Sequence, residues 1–280
     1  MFSSNEGNEG NVGNRRGSGG SGAFAVLPDR VDLPWVNFQD VASRRAEPPI
    51  KDHRTWSADW YAWLVLSEFA QAVKLPLTKP IGSPAGTIWL DEPVRTGESG
   101  ELDDLLRLAE SDRADALGEI VAQHDGFLDY FLALLSITHE SHPHTVRLLH
   151  VGVLVGAYVS LHFKGLAGHQ RLRPCQRAPA LMPPVPMPAH PSYPSGHATQ
   201  AHLMSKCVGA ALSASAPDLA ASLTRLAERI ARNREIAGLH FRTDAEAGRS
   251  LAEQAYQQLN ALAATTRFKT TLAEAVKEWS

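Results

Sequence analysis

Apolar and polar positions along this chain alternate with the 3.6-residue period of α-helices through most of its second half and three stretches of its first. From Trp56 the pattern places Trp60, Trp63, Leu64 and Phe69 on one buried face. Six later stretches carry the same signature: 102 to 123, 126 to 138, 144 to 164, 197 to 214, 217 to 239 and 245 to 278. In the second of these, Phe127, Tyr130, Phe131, Leu134, Leu135 and Ile137 form a Leu and aromatic stripe that marks a core face. Pro217 and Asp218 fit a helix start. Residues 75 to 100, broken by Pro and Gly around Ile88-Trp89-Leu90, read as an ordered loop with one short strand. Alternating β-branched runs are otherwise scarce and no internal repeat is evident. The fold class expected is all-α, a helical bundle.

The longest apolar run, Leu148 to Phe163, is interrupted by His150 and His162. It is too short and too polar for a spanning helix and reads as a buried one, so a soluble protein with no membrane span is expected. Seven of the 21 glycines fall within residues 1 to 22, with Asn and Ser between them and almost nothing to bury. This predicts a disordered tail over 1–22. An N-terminal extension with one helix and ordered loops follows over 23–100, and the main helical domain occupies 101–280.

Composition narrows the function classes. Apolar residues are 44% of the 280 and charged residues 20%, enough for a sizeable core. A net charge of -3 argues against a broadly cationic nucleic-acid binder. Cys175 and Cys207 are too few for a disulfide framework or a four-cysteine metal site. The start of the chain lacks the apolar segment of a secretory signal, which points to the cytoplasm.

Three segments carry candidate chemistry: KGLAGHQRLRP over 164–174, HPSYPSGHATQ over 190–200, and REIAGLHFRTD over 234–244. Ser195 is placed as an N-cap, so the amides of Gly196 and His197 and the positive end of the helix dipole make an anion site. If His240 uses one ring nitrogen as nucleophile or ligand, the other needs an acceptor, and Asp244, four residues on, supplies it. Asp244 also fits as N-cap of the last helix. Lys164 and Arg171, seven apart, share one face if the helix continues, and two cations beside an anion site suit a multiply charged oxyanion. Taken singly, each group has a plainer reading: a surface histidine, a solvated arginine, a snorkelling lysine.

Together the segments resemble the three-part signature of the type 2 phosphatidic acid phosphatase (PAP2) and vanadium-dependent haloperoxidase superfamily. That signature runs Lys, six residues, Arg-Pro; Pro-Ser-Gly-His; and Arg, five residues, His, three residues, Asp. The second and third parts match, and the resemblance spans residues 125 to 265. The first departs from the pattern: Arg171 is followed by Leu172, and the Arg-Pro pair is Arg173-Pro174, two residues late. Helical register favours Arg171, a short insertion would bring in Arg173, and both stay open. The resemblance implies an oxyanion cage of Lys164, Arg171 or Arg173, Ser195, Gly196 and Arg234. It also implies His240 as nucleophile on phosphorus or axial ligand to vanadium, His197 as general acid and base, and Asp244 orienting His240.

Such a cage serves two reactions. As a soluble phosphatase the protein would act on a small phosphoester through a phosphohistidine and need no cofactor. As a haloperoxidase it would hold vanadate and oxidise halide with hydrogen peroxide. His190, seven residues before His197, resembles a histidine that bromoperoxidases carry near the halide site. The shortness of the chain favours the phosphatase. A third class is a metal-binding or non-catalytic module: HESHPH, with His139, Glu140, His142 and His144, has spacing that could ligate zinc, though Pro143 breaks the regular arrangement and a polar inter-helix turn is the plainer reading. The eight prolines between Pro174 and Pro194 could form a linker or a PxxP ligand. Because the stretch starts at the candidate arginines and ends at Ser195, an ordered active-site loop is expected instead.

Overall fold

A computed structural model describes residues 56–82, 84–94 and 98–280. The tail expected over 1–22 and the segment 23–55 lie outside the described residues. Helices dominate and no strand forms among the described residues. In chain order they are α1 (Ala58–Ala72), α2 (Glu98–Ser111), α3 (Arg113–Leu135), α4 (Pro143–Lys164), the single turn α5 (Pro174–Arg177), α6 (Gly196–Leu212), α7 (Pro217–Ile236), α8 (Arg242–Ala261) and α9 (Thr266–Glu278).

Two apolar helices, α4 and α6, cross at the centre. α7 and α8 pack on α6, and α1 and α9 pack on α4. Gly152 and Gly156 sit one turn apart at the crossing, where an added Cβ would lie 2.7 Å from Met204 Cα and 2.9 Å from Gln200 Cα. Two bare backbone positions thus set the depth at which α6, and the site at its N-terminus, seats on α4. Phe163 of α4 lies in one core cluster with Phe69, Phe131 and Phe268 from three other helices. Each buried ring stabilises the fold by about 2–3 kcal/mol. The start of α4 is fastened by Glu278, whose carboxylate accepts from the backbone of His144 (2.7 Å) and Thr145 (2.8 Å) and from the Thr145 hydroxyl (2.7 Å). These are N–H groups that a helix start leaves unsatisfied.

Several expected boundaries are corrected. The stretch 102–123 divides at Asp112 into α2 and α3, and 126–138 belongs to α3 only as far as Leu135, with a kink at Gly126. The stretch 245–278 starts earlier, at Arg242, and is interrupted between Ala261 and Thr266. The first helix turns a different face inward: Ala58, Ala62, Val65, Leu66 and Phe69 are buried, while Trp60 and Trp63 are 60% and 52% exposed. No strand forms at Ile88-Trp89-Leu90. The Gln254 side chain brackets Trp89, accepting from its N–H at 3.1 Å and donating to its carbonyl at 3.0 Å, in the place of a partner strand. The border at 100/101 runs through α2, and α1 contributes to the same core as the later helices.

The 22 residues of α4 are long and apolar enough to cross a membrane by length and composition, contrary to the reading of its apolar run as too short. Inside the bundle, 78% of its apolar window is buried. The proline-rich stretch is part of the fold, with Leu181 and Val185 packed in core clusters and its ends at Arg173 and Ser195.

Candidate active site

Backbone and side-chain hydrogen bonds stitch the three motif segments together. Ser195 N–H donates to Asp244 O (2.9 Å), Ser192 N–H to Arg171 O (2.9 Å), and Cys175 N–H to Gly238 O (3.1 Å). Lys164, the last residue of α4, donates from Nζ to Pro191 O (2.6 Å) and Ser192 O (3.1 Å). Ser195 is the N-cap of α6, its Oγ accepting from Ala198 N–H at 3.3 Å, so the first-turn amides of Gly196 and His197 have no carbonyl above them in the helix.

The turn from α7 to α8 supplies the rest. Arg234 lies in the last turn of α7 and Asp244 in the first turn of α8, where it accepts from Phe241 N–H at 2.9 Å. Phe241, not Asp244, holds the N-cap position, and His240 stands just before it. His240 Nδ1 faces Asp244 Oδ2 at 3.3 Å, and its Nε2 faces Arg173 Nη1 at 3.3 Å. A proton on Nδ1 directed to the carboxylate leaves the Nε2 lone pair towards the arginine.

Arg171 and Arg173 separate clearly. α4 ends at Lys164, so Lys164 and Arg171 do not share a helix face, and the register that favoured Arg171 is absent. The Arg171 guanidinium instead meets Glu98 (3.0 Å), Glu101 (3.0 Å) and Asp244 (2.8 Å). Arg173 points to His240: Nη1 donates to Leu239 O (2.9 Å), and Nη2 to His190 O (3.1 Å) and His190 Nδ1 (3.1 Å). The structure therefore brings together Lys164, Arg173, Ser195, Arg234, His240 and Asp244, and turns Arg171 away. His190, half-buried, contacts Arg173 directly.

His197 is oriented by a residue with no sequence signal. Its Nε2 lies 3.2 Å from the backbone oxygen of Gln123 on α3, with the Phe127 ring centroid 5.0 Å from its own. Gln123 is in turn held by Asn233, whose amide donates to Gln123 Oε1 at 2.8 Å. Ser192 is likewise unanticipated: its hydroxyl donates to Asp244 Oδ2 at 2.6 Å. Its position three residues before Ser195, inside the motif segment, is the one hint the sequence offers. HESHPH forms the turn between α3 and α4 with its approach and exit, and among the described residues no three His, Cys, Asp or Glu side chains converge as a metal site.

The electrostatics are lopsided. Lys164, Arg173 and Arg234 are all buried, and among the described residues none pairs with a carboxylate. Among the described residues, Arg173 Nε and Arg234 Nε and Nη1 are buried with no acceptor, and the side chain of Arg234 makes one hydrogen bond, from Nη2 to Ile120 O at 2.7 Å. Burial lowers both guanidinium groups to about 10. Burial, then the Arg173 charge, pushes the Lys164 ammonium well below the usual lysine value, with Asp244 opposing. Burial, followed by Arg173 and Lys164, holds His240 well below the ordinary imidazole value, and burial with Arg234 does the same to His197. Each of these shifts would relax on arrival of an anion.

No protein-family model matches this sequence, and no curated protein matches it at a significant level. The three motif segments alone carry the resemblance.

Proposed function

We propose that the protein is a phosphatase that hydrolyses small phosphomonoesters through a phosphohistidine at His240. One observation carries this reading: the buried cations Lys164, Arg173 and Arg234 all act on His240, and among the described residues none forms an ion pair with a carboxylate and three arginine N–H donors have no acceptor. Buried polar groups are ordinarily paired, and a tetrahedral dianion would satisfy all three while offsetting the charge. In the first step the His240 Nε2 lone pair forms a bond to phosphorus as the bond to the leaving oxygen breaks. That oxygen takes the Nδ1 proton of His197, which enters the step as the imidazolium, the form that a bound dianion favours. In the second, water attacks phosphorus, gives its proton to His197, and the P–N bond breaks. Donation of His197 Nε2–H to Gln123 O makes Nδ1 the nitrogen that exchanges the proton. Asp244 holds the His240 tautomer, and the fixed donors need no reorganisation as charge shifts to the equatorial oxygens.

A second reading is favoured by one contact, that of His190 with Arg173. On this reading Lys164, Arg173, Ser195, Gly196 and Arg234 would hold the oxygens of vanadate, and His240 would bind it through Nε2. Bound there, vanadate would supply peroxide activation for halide oxidation. His190 would then hold Arg173 at the rim where halide enters.

The deciding experiment is a pair of assays on purified protein: a chromogenic phosphomonoester alone, and bromide with peroxide after loading with vanadate. Phosphate release that His240→Ala abolishes supports the first reading. Bromination without phosphate release overturns it, and full activity in His240→Ala overturns the site in either reading.

A further inference from the structure

Arg171 is withdrawn from the anion, yet it is buried and every guanidinium nitrogen is engaged. Nε donates to Glu98 Oε1 (3.0 Å) and Nη2 to Glu101 Oε2 (3.0 Å), both on α2. Nη1 donates to Asp244 Oδ1 (2.8 Å) and Thr243 Oγ1 (2.7 Å), and the Phe241 ring centroid lies 3.8 Å from the guanidinium carbon. Glu101 also accepts from Thr243 N–H and its hydroxyl, each at 3.0 Å. The contacts converge on residues 241 to 244, the turn that follows His240. Asp244 thereby has two distinct oxygens: Oδ1 belongs to Arg171, while Oδ2 meets Phe241 N–H, the Ser192 hydroxyl and His240 Nδ1.

We propose that Arg171 is a positioning residue: anchored by Glu98 and Glu101, it fixes the rotation of the Asp244 carboxylate so that Oδ2 faces His240 Nδ1 and the His240 Nε2 lone pair faces the cage. The inference rests on the reading of His240 as the reacting histidine. A carboxylate turns freely about its last bond unless both oxygens are held. The planar fork of an arginine reaches three acceptors in fixed directions, which a lysine ammonium does not. Burial works against the Arg171 charge, but Asp244 and Glu101 outweigh it and raise the guanidinium above its ordinary value, so the clamp stays cationic. α2 buries only Leu105 completely; its glutamates are what tie it to the site.

The test compares full-length wild type with Arg171→Lys, Arg171→Met and Glu101→Gln. Three quantities are read: kcat and KM on a chromogenic phosphomonoester, orthovanadate affinity, and the His240 tautomer by ¹⁵N-histidine NMR, with its signal identified by loss in His240→Gln. Arg171→Lys should lower kcat about 30- to 100-fold and leave KM and vanadate affinity within about threefold. Its Nδ1–H tautomer should lose dominance. Glu101→Gln should show the same pattern at about three- to tenfold. A folded Arg171→Lys protein that keeps the Nδ1–H tautomer overturns the proposal, as does a loss of vanadate affinity that matches the loss of kcat. Should the substituted arginine prevent folding, Glu101→Gln decides, and an unchanged tautomer there overturns it. An inactive wild type would count against the phosphatase reading, while the tautomer comparison still decides the role of Arg171.

Discussion

Six residues separate Lys164 from Arg171 and eight separate it from Arg173, and that difference of two goes with a reversal in the direction in which the arginines point. Helical geometry would have joined Lys164 to Arg171, but the helix stops at Lys164 and the chain reaches Arg171 through Gly165 and a short 3-10 turn over Ala167–His169. The two glycines at 165 and 168 are the local cue that the helix does not continue. His240, Asp244 and Ser195 were legible because each lies in a segment that matches the motif spacing, and Lys164 because it precedes the Arg-Pro pair, although that spacing is two residues too long. Gln123 and Ser192 were not, because a backbone carbonyl on a kinked helix and a hydroxyl aimed at a distant carboxylate leave no periodic trace. Arg173→Ala should weaken binding of phosphate or vanadate about 100-fold, which corresponds to ~3 kcal/mol. Isothermal titration calorimetry measures this directly, and unchanged affinity would remove Arg173 from the cage.

At the scale of elements, apolar period found the helices but not all their ends. α6 and α7 were placed well because Ser195 and Pro217 are chemical start signals. The join between α8 and α9 carries neither Gly nor Pro, only Leu-Ala-Ala-Thr at 262–265, so nothing in the pattern announced it. The exposed tryptophans of α1 misled for a different reason: small alanines at 58 and 62 take the inward positions, and the large rings stand outside. Helix spacing itself bears on the site at Gly248 of α8. A Cβ there would meet Ser195 O at 2.6 Å, Ala198 Cβ at 2.9 Å and Thr199 N at 3.0 Å. Gly248→Ala gains about 1 kcal/mol of helix propensity, yet must push α8 off the start of α6 at a cost of about 1–3 kcal/mol. The expected result is a lower melting temperature together with a larger loss of kcat/KM, since the Ser195–Asp244 link moves; thermal melts and kinetics on the same preparation check both.

Across the whole molecule, buried histidines make stability depend on pH. Burial, helped by His139, lowers His150 to about 4, and burial with Arg249 and Lys206 lowers His202 to about 4. Unfolded, both would take a proton near 6.5. Between these values the unfolded chain binds more protons than the folded one, so stability is complete above about pH 6.5 and falls as pH drops towards 4. The loss is on the order of 3 kcal/mol at most for each group. Urea midpoints from pH 7 to pH 4 should decline with that slope, and His202→Gln should flatten it. A flat profile in the unsubstituted protein would contradict the buried neutral state. The all-α bundle was readable from composition and period, whereas the burial that sets these titrations belongs to helices meeting far apart in sequence.

Lys164, Arg173 and Arg234, buried and without an ion-pair partner among the described residues, have one more consequence. The bundle buries Lys164, Arg173 and Arg234, with Lys164 and Arg173 close enough to repel, a cost that apolar side chains of the same size would not incur. A sequence tuned only for the durability of the empty fold would not contain them. On the proposed reading these three residues would be a place where stability and use oppose each other, and an anion bound among them would recover part of what their burial costs.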